Sequence, residues 1–168
     1  MASVTFQGKE LQLEGPLPKV GDNAPDFVLT SNSLEPVTLK DFAGKTLALV
    51  TVPSLDTPVC DVEARHFNEE AAKLSDNVRI VVVSRDLPFA QARWCGAANI
   101  RNVQTLSDYL ERDFGKRYGV AIEKLGLLAR AIFVVDAKGI LTYGQLVPEV
   151  THEPDYAAAI EAIKKAAK

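Results

Sequence analysis

Leu47-Ala48-Leu49-Val50-Thr51-Val52-Pro53-Ser54-Leu55-Asp56-Thr57-Pro58-Val59-Cys60 is the stretch on which the reading of the fold turns. Its first six residues form a short, apolar, β-branched-rich run ending at a proline, the pattern of a buried strand and too short for a typical helix. From Asp61 onward, apolar residues at Val62, Phe67, Ala71 and Leu74 recur among charges, so an amphipathic helix is expected over 61–75. Pro53 and Pro58 cannot donate to a sheet ladder, and Pro58 biases Thr57 toward extended geometry. The chain therefore turns between the two prolines and enters the helix close to Cys60. A cysteine in the first turn of a helix meets free backbone N–H groups and the positive end of the helix dipole, which favour thiolate over thiol. Free cysteines are more often inert core fillers. The placement of Cys60 at a strand-to-helix junction, where open α/β folds build their sites, argues for chemistry instead.

Working outward, Val4 to Leu13 alternates apolar and polar residues on both sides of Gly8, a β-hairpin pattern, and Gly15-Pro16-Leu17-Pro18 breaks it. Asp26–Leu29 and Pro36–Leu39 are short strand candidates, with a turn over 41–45 before the central strand. Val78 to Val83 reads as a second buried strand. Pro88 is placed to open a helix through Phe89, Ala92, Trp94 and Cys95, which Gly96 is expected to stop. A third helix is expected from Leu106 to Tyr118, ended by Gly119. Ala131–Asp136 and Ile140–Tyr143 flank Ala137-Lys138-Gly139 as a hairpin, and a last helix runs from about Pro154 to Ala167. Strands alternating with helices, then a hairpin and a helix, predict an α/β fold: a three-layer sandwich around a mixed sheet, thioredoxin-like in its order. The thioredoxin Cys-x-x-Cys is absent, because Glu63 stands where its second cysteine would fall.

Composition bounds the function. At 168 residues, 47% hydrophobic and 24% charged, the chain is expected to form one domain over 1–168. Nineteen Lys and Arg against 22 Asp and Glu, with no basic run, argue against a nucleic-acid partner. The first residues lack a secretory signal pattern, and no run approaches the roughly 18 apolar residues of a membrane span. A soluble, cytoplasmic protein with no membrane partner is the expectation. Two cysteines are too few for a disulfide scaffold, and with His66 and His152 they show no close ligand spacing, so neither metal nor cofactor is expected. A cysteine hydrolase is disfavoured, since six positions carry His66 about 240° round the helix from Cys60.

Pro53-x-x-x-Thr57-x-x-Cys60 resembles the active-site motif of the peroxiredoxins, and Ser54 through Cys60 is similar to the thiol peroxidase branch, the atypical two-cysteine type. Asp86-Leu87-Pro88-Phe89-Ala90-Gln91 with Arg93-Trp94-Cys95-Gly96 resembles that branch's resolving-cysteine segment. Gly126 to Ala131 resembles the segment that carries its active-site arginine. With the amino-terminal hairpin and Gly21-x-x-Ala24-Pro25-Asp26-Phe27, the resemblance covers essentially the whole chain.

The resemblance implies a peroxidase acting on hydrogen peroxide and alkyl hydroperoxides. Cys60 attacks the peroxide as a thiolate and becomes a sulfenic acid. Thr57 can both donate and accept, and so orients the peroxide. Arg130, set among Leu127, Leu128, Ala129 and Ala131, supplies a permanent charge and a fork of donors, and its burial would demand a partner. Pro53 shapes and shields the turn. Cys95 resolves the sulfenic acid as an intramolecular disulfide, which thioredoxin or a similar dithiol reduces, and local unwinding around both cysteines is expected in each cycle. A homodimer is implied as well. Phe89, Trp94 and Leu128 are the expected apolar rim of the substrate pocket, although such residues more often belong to the core. The competing class is a non-catalytic redox-sensing or partner-binding module on the same scaffold, which would oxidise once without turnover.

Overall fold

A computed structural model of the protein describes residues 2–168. The chain opens with strands β1 (Ser3–Phe6) and β2 (Lys9–Glu14), an antiparallel hairpin. Gln7 and Gly8 turn between them with φ of 52° and 81°, the double left-handed geometry that suits a two-residue hairpin loop. Strands β3 (Val28–Thr30) and β4 (Pro36–Thr38) follow, then a 3-10 turn over Leu39–Phe42 and the central strand β5 (Thr46–Thr51). Helix α1 (Pro58–Ala71), β6 (Val78–Ser84), helix α2 (Pro88–Ala98) and β7 (Gln104–Ser107) come next. The short helix α3 (Phe114–Arg117), β8 (Ala121–Ile122), β9 (Ala131–Val135), β10 (Leu141–Leu146) and helix α4 (Tyr156–Ala166) complete the order.

Seven strands make one mixed sheet in the order β10-β9-β5-β6-β7-β3-β4. β5, β6 and β7 run parallel, and β9 lies antiparallel to β5. Every residue of β5 is buried, and its pleat divides the core. Ala48 and Val50 join Ile80, Val82, Ile132 and Val134 beneath Ala64 and Phe67 of α1, Ile160 and Ile163 of α4, and the inner side of α2. Leu47 and Leu49 face the other way with Val81, Val83 and Phe133. That second face is covered by the small sheet β1-β2-β8 and by α3, where Phe114 stacks on Tyr118 at 4.5 Å and meets Phe27 edge-on at 5.7 Å. The expected three layers and thioredoxin-like fold are present, with helices on one side and mainly a small sheet on the other. No helix among the described residues is long and apolar enough to cross a membrane.

Three expectations for individual elements change. The helix expected over 106–118 is strand β7 followed by a loop and a single helical turn. Thr105, Leu106 and Ser107 are buried, with β7 paired to β6 and Ser107 to Thr30 of β3, so burial between strands decides their conformation. Asp108, which lay inside the expected helix, instead accepts from the backbone N–H groups of Phe114 and Gly115 and pairs with Arg85 at 3.1 Å, anchoring the start of α3. Helix α2 does not stop at Gly96. It continues to Ala98 and ends at Asn99, which takes the left-handed φ of 56°. Helix α1 begins at Pro58, three residues before the expected start, and so encloses Cys60 in its first turn.

Candidate active site

Pro53 to Thr57 link the end of β5 to α1, and the loop after β6 holds them in place. Asp86 accepts from the Ser54 hydroxyl at 2.7 Å and from the Leu55 backbone N–H at 2.9 Å, and also from Ser84. Thr57 is the N-cap residue of α1 in extended conformation, and Pro58 occupies the first helical position, where its missing N–H costs nothing. The Thr57 hydroxyl donates to the Ser54 carbonyl at 2.9 Å, which leaves its lone pairs open to another donor. Cys60 is then the third helical residue and is fully buried.

Arg130 stands immediately before β9, which pairs with β5, so the arginine and the β5–α1 turn emerge side by side. The Thr51 hydroxyl fastens this junction by donating to the Ala129 carbonyl at 2.7 Å. Arg130 is only 1% exposed, and its donors are distributed. Nη1 bonds Glu63 Oε2, while Nε and Nη2 both donate to the Val150 carbonyl, at 3.1 and 2.8 Å. The Cys60 sulfur lies close enough for its charge to act on the guanidinium. Burial opposes the arginine's charge, but the Glu63 carboxylate, and after it the Cys60 sulfur, more than offset this and raise Arg130 above its ordinary value. Glu63 lies three residues beyond Cys60 on the same face of α1, which lets one guanidinium reach both. Its second oxygen, Oε1, has no protein partner. Burial pushes the Glu63 carboxyl up to about 7 against the pull of Arg130.

Arg130 is the member of this cluster that lines a cavity of about 180 Å³; Cys60 and Glu63, both fully buried, do not form its wall. Pro53, Thr57 and Arg130 line it together, and Thr151 borders it. Its apolar walls come from Phe6, Pro58, Val59 and Val150. The expected rim of Phe89, Trp94 and Leu128 is not brought to this cavity. Phe89 is 67% exposed on α2, and Leu128 is buried in the core on the opposite face of the sheet. Trp94 points from α2 toward α1, donating from Nε1 to Asp61 at 2.8 Å. The sequence left the direction of these three side chains open, and packing took them elsewhere. Cys95 is half-buried on α2, its sulfur 3.5 Å from the Thr105 hydroxyl, and both cysteines are free thiols. His66 stacks on Tyr156 at 3.9 Å. Glu63, Val150 and Phe6 are the site residues that reading the sequence missed. Only Glu63 carried a local signal, its i+3 spacing from Cys60.

A thioredoxin-like sheet with a buried cysteine at a helix start, held against a buried arginine, is the architecture of a cysteine-based redox protein. The Redoxin family model matches residues 19–160. The chain is 54% identical over 166 residues to the thiol peroxidase of Halalkalibacterium halodurans, covering 99% of each chain. It is 51% identical over 168 residues to that of Bacillus subtilis, covering 100% of both. Among solved structures, a peroxiredoxin-like protein from Aquifex aeolicus superposes with a TM-score of 0.92 at 43% identity, over 99% of this chain and 98% of that one. A thiol peroxidase from Chromobacterium violaceum shares the fold, with a TM-score of 0.88 at 24% identity over 100% and 99% of the two chains. The chain belongs to the redoxin family and, within it, to the thiol peroxidases.

The elevated Glu63 carboxyl has a measurable consequence for stability. Between its ordinary value of 4.5 and about 7, the folded protein keeps a proton that the unfolded chain releases. The stabilisation from this group is complete below the unfolded value and is lost as pH rises through the folded one. Glu63→Gln does not titrate, so the margin by which wild type exceeds it should narrow from pH 5 to pH 7, by up to about 2 kcal/mol. Urea midpoints across that range measure the margin, and a gap independent of pH would show that Glu63 is ionised throughout.

Proposed function

We propose that this thiol-dependent peroxidase reduces hydrogen peroxide and alkyl hydroperoxides through Cys60, resolves the product with Cys95, and is recycled by thioredoxin or a similar dithiol. The observation that carries the reading is the Arg130 cluster, in which a buried guanidinium held by Glu63 and the Val150 carbonyl stands near enough to Cys60 to interact with its charge. The Cys60 thiolate attacks one peroxide oxygen. The O–O bond breaks, an S–O bond forms, and the departing alkoxide or hydroxide takes a proton and leaves as alcohol or water, with Cys60 as sulfenic acid. Thr57 orients the peroxide, Arg130 stabilises the thiolate and the oxygen charge that develops, and Pro53 shields the turn. The apolar walls from Phe6, Val59 and Val150 support acceptance of an alkyl tail beside the small peroxide head.

Cys95 then attacks the sulfenic sulfur, expelling water and closing a disulfide, which the external dithiol reduces by exchange. Both cysteines lie inside wound helices, and the Trp94–Asp61 hydrogen bond joins those helices next to the two thiols. A disulfide needs Cα atoms within about 7 Å, so local unwinding of both segments accompanies resolution and breaks that bond. Dependence on a dithiol reductant supports a reducing compartment, the cytoplasm, with the whole chain acting as one domain. The family resemblance supports a homodimer.

Cys60→Ser should abolish peroxidase activity. Cys95→Ser should still consume the first equivalent of peroxide at near wild-type rate, because Cys60, Thr57 and Arg130 are untouched. Its thioredoxin-supported turnover should collapse, and excess peroxide should carry Cys60 to sulfinic and sulfonic acids, counted by mass spectrometry as added oxygens. Undiminished turnover in Cys95→Ser would refute the resolving role, and turnover in Cys60→Ser would refute the whole mechanism.

Cavity shape yields a separate expectation. Phe6→Ala should lower kcat/KM for cumene hydroperoxide by roughly 10-fold while leaving hydrogen peroxide nearly unaffected. An equal effect on both substrates in steady-state assays would remove Phe6 from substrate recognition.

A further inference from the structure

Glu149 lies in the loop after β10, one residue before the carbonyl that holds Arg130. Its carboxylate accepts four hydrogen bonds, and the donors belong to two segments that wall the cavity. Oε1 accepts from the Thr5 hydroxyl at 2.8 Å and from the Gly8 backbone N–H at 2.9 Å. Oε2 accepts from the Thr151 backbone N–H at 2.9 Å and from its hydroxyl at 2.6 Å. Thr5 and Gly8 bracket Phe6, and Thr151 follows Val150; Phe6, Val150 and Thr151 all line the cavity. Backbone bonds continue the seam, from Thr5 N–H to the Pro148 carbonyl at 2.7 Å and from Val150 N–H to the Thr5 carbonyl at 2.8 Å.

A partly exposed glutamate is ordinarily a solvated charge of small consequence. Here one carboxylate ties the amino-terminal hairpin to a loop more than 140 positions away in the chain. The Val150 peptide lies at the centre of this seam. Its N–H is fixed by β1, its two neighbours Glu149 and Thr151 are bonded to each other across it, and its carbonyl takes two of Arg130's five N–H groups. With Nη1 also bonded to Glu63, the direction in which the remaining N–H groups point is set by where the Val150 carbonyl stands. We infer that Glu149 is a positioning residue for peroxide reduction, fixing Val150 through the amino-terminal hairpin and thereby aiming Arg130 at the Cys60 sulfur. Its hydrogen bonds, those from Thr151 and Gly8 foremost, hold the Glu149 carboxyl far below the usual carboxylate range, so it remains an acceptor at neutral pH. The hairpin is then a working part of the site. The inference rests on the roles proposed above for Cys60 and Arg130.

The test is single-turnover oxidation of Cys60 by hydrogen peroxide, small enough to be insensitive to the cavity's apolar shape, together with the thiolate fraction from ultraviolet absorbance. Glu149→Ala should react about tenfold more slowly and carry less thiolate at neutral pH, with an unchanged circular dichroism spectrum. Glu149→Gln keeps one acceptor oxygen, should lose severalfold, and carries the test if the alanine variant does not fold. In an Arg130→Ala background, Glu149→Ala should add no further loss, because its effect passes through Arg130. Wild-type rate and thiolate fraction in the folded Glu149 variants, or an equal additional loss on top of Arg130→Ala, would overturn the inference. If Arg130→Ala is slow while the Glu149 variants are not, only this inference fails. If Arg130→Ala itself reacts at the wild-type rate, the role assigned to Arg130 fails first.

Discussion

A buried guanidinium cannot stand alone, and the way Arg130 is satisfied organises the rest of the molecule. Removing such a charge from water costs several kcal/mol unless partners restore what solvent supplied. Three regions meet to do so: α1 with Glu63 and Cys60, the loop after β10 with the Val150 carbonyl, and the β5–β9 pairing that delivers Arg130 to them. A buried ion pair is weak evidence of added stability. Its value here is electrostatic, because it keeps a permanent positive charge and oriented donors beside a sulfur in a site where water does not screen them.

How much of this was legible from the residues depended on how local each signal was. Pro53, Thr57, Pro58 and Cys60 are adjacent in the chain, and proline stereochemistry with helix-start rules places them at a strand-to-helix turn without further information. The central strand, the amino-terminal hairpin and the 131–143 hairpin were legible for the same reason. The segment 106–118 misled, because its start belongs to a strand whose placement between β6 and β3 is a property of the whole sheet. Gly96 misled in the other direction. A lone glycine on an exposed helical face interrupts nothing, and Asn99 supplies the left-handed residue that ends α2.

Within the site, the burial of Arg130 was foreseeable from its apolar neighbours, and the need for a partner followed from it. That the partner is Glu63 was available in outline, since the residue standing where thioredoxins have their second cysteine falls on the Cys60 face of the helix. The cavity walls were not available. Phe6 and Val150 lie nearly 150 residues apart in sequence and meet only because the hairpin is strapped to the loop after β10 by Glu149 and by backbone bonds. The two halves of the proposed catalytic cycle therefore draw on opposite properties of one scaffold. In that proposal, attack on peroxide needs the first turn of α1 wound and Arg130 aimed, whereas resolution by Cys95 needs that turn and its Trp94–Asp61 tie to α2 released.

The central claim is that catalysis depends on the aimed fork of Arg130 and not on positive charge alone, and Arg130→Lys tests it most directly. Lysine keeps the charge but cannot reach Glu63, Val150 and the Cys60 sulfur together. Rapid mixing of this variant with one equivalent of hydrogen peroxide should show Cys60 oxidation slowed by roughly 100-fold with the fold intact by circular dichroism. Oxidation at the wild-type rate would contradict the account.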